Sequence, residues 1–265
     1  MQTMTRRDLL SLLAAAALPP PPATAQPIIR TILRDVKPSA IDGPILIHEH
    51  LSLGGTDWGI ERPASKWYDD VDLIANEVAA CRASGVRCIV DMGTSDLGRR
   101  IGALRTIATQ SNMLIVASGG LHGKSDYPPG TAAKTADQIA DAFYRLAIAE
   151  RWGAIGEMGT TGTDVPMDAE ERKALNAAAK LHHRTGLPIV THVSDGCARC
   201  ALEQVDLFEA AGVSLDRLRK NGGPGIDTSI TNFVPRLRRA GVSDATLRTV
   251  LVENPRRVLS FVPPT

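Results

Sequence analysis

Pro44-Ile-Leu-Ile-His-Glu-His-Leu51 is the stretch from which the fold is read. An apolar run ends in two histidines one residue apart. Side chains alternate along a strand, so both imidazoles share one face and Glu49 takes the other. Comparable runs recur at 86–94, 113–119, 154–160 and 187–193, with apolar cores such as Cys-Ile-Val, Leu-Ile-Val-Ala and Pro-Ile-Val. Cores of that kind suit strands buried on both faces. Helical segments lie between them. Asp70 can cap the first, with Val71, Ile74, Val78 and Cys81 as its inward stripe, and Ala174, Ala178 and Leu181 mark the helix that ends at Thr185-Gly186. Strand and helix in alternation predict an α/β fold with parallel strands and crossover helices, a TIM-barrel-like architecture.

The alternation stops after the helix ending near Gly212. Beyond it come Leu215-Asp-Arg-Leu-Arg-Lys, a Gly222-Gly-Pro-Gly225 loop and further helical segments reaching Phe261. Only 230–234 can pass for a strand, and Pro235 follows it at once. About five of the eight strand–helix units of a (β/α)₈ barrel are therefore expected. At roughly 30 residues per unit, the three absent ones amount to about 90 residues.

A chain of 265 residues with a formal net charge of +1 suits one large domain. So even a balance provides no basic field for nucleic acid or an anionic membrane, and neither is expected as a partner. Thr5-Arg6-Arg7-Asp8-Leu9-Leu10 opens a twin-arginine leader, and Ala23-Thr24-Ala25 is a small-x-small cleavage site. Residues 1–25 are thus read as a signal peptide and 26–265 as the mature domain, periplasmic or secreted. The apolar run 9–18 is about half the ~20 residues of a membrane span. Of four cysteines, Cys81 and Cys88 read as small core residues. Cys197-Ala-Arg-Cys200 is a lone CxxC, read as a disulfide or two thiols rather than a metal motif.

The chemistry gathers at the strand ends. His48 and His50 end the first strand, Glu157 ends the fourth in Ile155-Gly-Glu-Met-Gly-Thr160, and His192 ends the fifth in Pro188-Ile-Val-Thr-His192. The C-terminal strand ends form the active-site mouth of such barrels. A carboxylate among apolar strand ends is costly without a cation or donor beside it. These four residues are the predicted ligands of a divalent metal. His122 can line the mouth or be an ordinary loop histidine, and Asp91 and Asp96 read as turn residues. Asp227 can face substrate, while His182 and His183 read as surface positions.

These stretches, together with Gly85-Val-Arg-Cys-Ile-Val-Asp-Met-Gly93, Asn221-Gly-Gly and Glu253-Asn-Pro-Arg, resemble the phosphotriesterase family of amidohydrolases. Glu157 is similar to the branch of phosphotriesterase homology proteins and lactonases, in which a glutamate replaces the carboxylated lysine bridging two metals. The resemblance implies a (β/α)₈ barrel, a zinc-type centre of one or two ions, and a small-molecule ester, lactone or phosphotriester substrate. Manganese, iron or cobalt suit the same donors. It also implies an internal deletion near 218–219, where the family carries strands six to eight with a further histidine ligand and a proton-shuttling aspartate. On this reading one metal keeps His48, His50 and Glu157 while a second keeps only Glu157 and His192. One weakly held cation and low turnover follow. Two alternatives stand: an active enzyme whose pocket is completed by a homodimer partner or by the C-terminal helices, and a non-catalytic remnant.

Overall fold

The structure is a computed structural model that describes residues 26–53, 70–161, 167–193, 198–214, 217–220 and 229–264. The predicted leader and Asp227 lie outside them. An antiparallel hairpin, β1 (Ile29–Arg30) and β2 (Asp35–Val36), precedes a parallel sheet. The sheet runs in sequence order through β3 (Ile45–Glu49), β4 (Cys88–Asp91), β5 (Leu114–Gly119), β6 (Trp152–Thr160), β7 (Ile189–Val193) and β8 (Leu218–Lys220). The connecting helices are α1 (Val71–Ala83), α2 (Ile101–Ser111), α3 (Ala136–Glu150), α4 (Ala169–Thr185) and α5 (Ala198–Ala210). Three short helices end the described chain: α6 (Val234–Arg239), α7 (Asp244–Arg248) and α8 (Asn254–Leu259).

The helices begin and end where local chemistry dictates. The Asp70 carboxylate accepts the Leu73 N–H at 2.9 Å to cap α1. Thr135 and Gln138 form a reciprocal capping box on α3. Gly186, at φ 73°, closes α4 in the left-handed conformation. Ile74, Val78 and Cys81 of α1 pack with Leu46, Ile89 and Ile115 of the sheet. Ile155, Met158 and Ile189 face α3, α4 and α5. Apolar side chains one residue out of phase, Ile45, Cys88, Val90, Val116, Ala154 and Val190, point to the concave face.

The expected five strand–helix units are present, and two details beyond them differ. A sixth strand exists, Leu218–Lys220, paired parallel to β7, so five complete strand–helix units are followed by one three-residue strand. The run 230–234 is helical, within a π-turn at Ser229–Phe233 that leads into α6. The concave face of the open sheet is also filled: Ile29 and Ile41 of the N-terminal segment and Leu259 of α8 pack against it. The two ends of the domain meet beneath the sheet through reciprocal Ile28–Phe261 backbone hydrogen bonds of 2.9 and 3.0 Å. Among the described residues no helix is long and apolar enough to cross a membrane. Cys81 and Cys88 are buried thiols outside any disulfide, whereas Cys200 is disulfide-bonded. Cys197 lies outside the described residues.

Candidate metal centre

The strands that supply the first candidate ligands are each bulged at that residue. Between Leu46 and Glu49, β3 carries one more residue than the facing part of β4, and between Ile155 and Met158, β6 carries one more than β7. An extra residue shifts the inside–outside alternation by one and re-aims a side chain. In β3 it turns His48 and His50 toward the concave face, where Leu46 two residues earlier faces the helices. In β6 it brings Glu157 inward while Ile155 and Met158 stay in the outer core. Gly156 makes this turn at φ 145°, and a Cβ there would lie 2.6 Å from the Val190 carbonyl oxygen.

Glu157, only 3% exposed, sits at the centre of the cluster. Its Oε2 lies 3.4 Å from His48 Nε2 and 3.3 Å from His50 Nε2, and those two nitrogens are 3.3 Å apart. Its Oε1 faces the other way and accepts from His192 Nδ1 at 2.8 Å. Burial pushes this carboxyl up, but hydrogen bonds from His192, His48 and His50 outweigh it and hold the group far below the usual carboxylate range. Burial pulls the His50 imidazole down, and Glu157 more than restores it, so His50 ends above its ordinary value. The Nδ1 atoms of His48 and His50 are buried and make no hydrogen bond.

A second group forms on the Oε1 side. His122 follows β5 in a short loop, and its ring centroid is 4.8 Å from that of His192. His122, Glu157 and His192 each offer a ligand atom within 4.8 Å of the others, as do His48, His50 and Glu157 on the first side. The His122 backbone N–H donates to Asp96 Oδ2 at 2.7 Å. Its carbonyl lies against Gly159, where any Cβ would come within 1.7 Å of it. Burial lowers the His122 imidazole pKa.

Residues 27–219 and 215–259 match the Phosphotriesterase family. The chain belongs to that family. A phosphotriesterase homology protein of Mycobacterium tuberculosis is 30% identical over 189 residues, 66% of this chain and 57% of that protein. The chain thus spans little more than half the length of that relative. An N-acetyltaurine hydrolase of Bos taurus is 21% identical over 273 residues, covering 72% of this chain and 78% of that one. In fold, the chain is similar to the crystal structure of the phosphotriesterase homology protein from Escherichia coli complexed with phosphate in its active site. The TM-score is 0.75 at 22% identity, over 83% of this chain and 99% of that one. What the two share is a curled sheet of parallel strands with outer helices, and in this chain the barrel is incomplete.

The remaining predicted positions of this phosphotriesterase-family chain separate cleanly. Asp91 is structural: its fully buried carboxylate accepts from Leu51 N at 2.7 Å and Gly93 N at 3.1 Å, tying the end of β4 to the residue after His50. Asp96 is a brace for His122, with burial pushing its carboxyl up to about 6. His182 and His183 stand apart, each bonded at 2.7 Å to a backbone carbonyl, of Leu187 and Ala211. Sequence reasoning missed Gln204. Its buried amide donates to Thr160 Oγ1 at 3.0 Å and to the His192 carbonyl at 2.8 Å, locking the ends of β6 and β7. Nothing local in Leu202-Glu-Gln-Val205 signals that role.

Proposed function

We propose that this chain is a divalent-metal-dependent hydrolase acting on an ester, lactone or phosphotriester bond of a small molecule, exported on its twin-arginine leader to the periplasm. One observation carries the reading: the triangle of His48 Nε2, His50 Nε2 and Glu157 Oε2, with sides of 3.3–3.4 Å. Good N–H···O bonds are shorter, about 2.7–3.2 Å. Ligands held 2.0–2.1 Å from a tetrahedral ion are about 3.3–3.4 Å apart. The donor set therefore fits a cation better than it fits its own hydrogen bonding. Three protein ligands with an open position is the arrangement of catalytic zinc, including the His₂Glu kind, and zinc is the metal proposed. A cation held there supplies Lewis acidity to a carbonyl or phosphoryl oxygen and acidifies water.

The chain's own residues do the holding and orienting. Glu157 supplies the negative charge, His48 and His50 the imidazole donors, and Asp91 fixes the strand end that carries them. Among the described residues, the candidate metal-holding groups contain no carboxylate besides Glu157. Asp91 is taken up by backbone N–H groups, and Glu49, pushed by burial to about 7, lies on the alternate parity of its strand. A missing positioned base commonly costs about 10²–10⁴-fold, so turnover is expected to be low. The test is an assay of the mature protein on lactones, aryl esters, phosphotriesters and, given the name of the bovine relative, N-acyl amides. Slow turnover that chelator abolishes and zinc or manganese restores supports the proposal. Absence of both turnover and retained metal would overturn it.

The orphaned Nδ1 atoms of His48 and His50 favour a second reading. Catalytic metal sites usually give that nitrogen a partner, and its absence suits a metal-binding remnant without chemistry. Retained cation with no turnover on any of these substrates would select it.

A further inference from the structure

We infer that His122 is a ligand for a second divalent cation, which it shares with His192 and Glu157. The inference rests on the metal-centre reading above and adds a residue to it. Its basis is the division of labour at Glu157: Oε2 faces His48 and His50, whereas Oε1 faces His192, beside which His122 stands. A carboxylate addressed from both sides by imidazoles is placed to bridge two ions. On the Oε1 side, Glu157 and His192 alone are too few to hold a cation tightly. His122 makes three protein donors, the number of a catalytic zinc site.

The His122 ring is engaged only loosely, by an ion-pair contact with Asp126. Its Nδ1 is buried and makes no hydrogen bond, and the nearest carboxylate oxygen, Asp126 Oδ2, is 3.6 Å away. A buried polar atom left unpaired is costly, and a cation bound at Nδ1 removes that cost. The donor atoms lie within 4.8 Å of one another. Ligands of a tetrahedral ion are about 3.3–3.4 Å apart, so side-chain rotations that bring the donors closer by about 1.4 Å at most close the site. The loop is built to hold the ring there, with its N–H on Asp96 and its carbonyl seated against the bare Cα of Gly159. The third position, which the family fills from strands beyond β7, is thus filled in this chain from the loop after β5.

The test is metal stoichiometry on the mature protein, read by elemental analysis after desalting from excess manganese, with the manganese EPR spectrum recorded alongside. The unmodified protein should hold two ions per chain and show an exchange-coupled pair signal. His122→Ala should hold one and show an isolated-ion spectrum, while His182→Ala, on the remote helix, behaves as the parent. Should His122→Ala fold poorly, His122→Cys loaded with cobalt keeps the question open to measurement: a thiolate-to-cobalt absorption band is expected. One ion in parent and variant alike, two ions in both, or no thiolate band in the folded cysteine variant would each overturn the inference while leaving the His48–His50–Glu157 reading intact. No ion in the parent protein would overturn both.

Discussion

At the scale of single residues, Glu157 is the position on which the site turns. A buried carboxylate surrounded by three imidazoles has exchanged water for them. Replacing it by glutamine keeps its shape and removes its charge. Glu157→Gln is expected to weaken zinc binding by on the order of 100-fold or more, beyond what loss of an outer partner costs, with helix content unchanged. Calorimetric titration paired with circular dichroism checks this, and unaltered affinity would count against Glu157 as a ligand. The convergence of His48, His50, Glu157 and His192 was legible because each follows an apolar strand core, where period-two alternation and the strand-end rule place side chains without knowledge of the loops. His122 was not. Its ring position depends on Asp96, twenty-six residues away, and on Gly159, thirty-seven residues away, contacts that no local pattern announces.

At the scale of elements, the helices were readable and the irregularities of the strands were not. The stripe Ile74, Val78, Cys81 and the cap Asp70 are local signals, and the structure places all four as expected. The bulges in β3 and β6 answer to the partner strand, so the sequence of either strand alone cannot reveal them. The strand Leu218–Lys220 escaped for a related reason: Leu-Arg-Lys has no apolar alternation, and its pairing with β7 alone makes it a strand. The capping box of α3 permits a quantitative check. Thr135→Ala removes the side-chain acceptor of the Gln138 N–H and should cost about 1 kcal/mol. In a domain of this size that lowers the melting temperature by about 2–4 °C. An unchanged scanning-calorimetry trace would mean the cap contributes nothing.

At the scale of the whole molecule, an open sheet of this kind must cover a concave face that a closed barrel fills from its missing strands. Here the hairpin, Ile41 and Leu259 cover it, and backbone hydrogen bonds between Ile28 and Phe261 join the first and last described segments beneath the sheet. The composition pattern predicted the incomplete barrel but not its filling, because the filling comes from segments distant in sequence and unremarkable in it. Ile29, with no exposed surface, reports on that packing. Ile29→Ala should destabilise the fold by about 2–5 kcal/mol, the range for large-to-small core changes, in urea denaturation. A cost below about 0.5 kcal/mol would mean that the hairpin is an ornament and the sheet closes in some other way.

The central claim, that side chains from three strands converge on one cation, is tested most directly by zinc K-edge X-ray absorption on the mature protein and its His48→Ala variant. The parent should retain zinc with nitrogen and oxygen neighbours near 2.0–2.1 Å and the outer-shell scattering of imidazole, and the variant should lose the metal or show weaker imidazole scattering. Zinc bound through sulfur, an imidazole signal indifferent to His48, or no retained zinc at all would contradict the account.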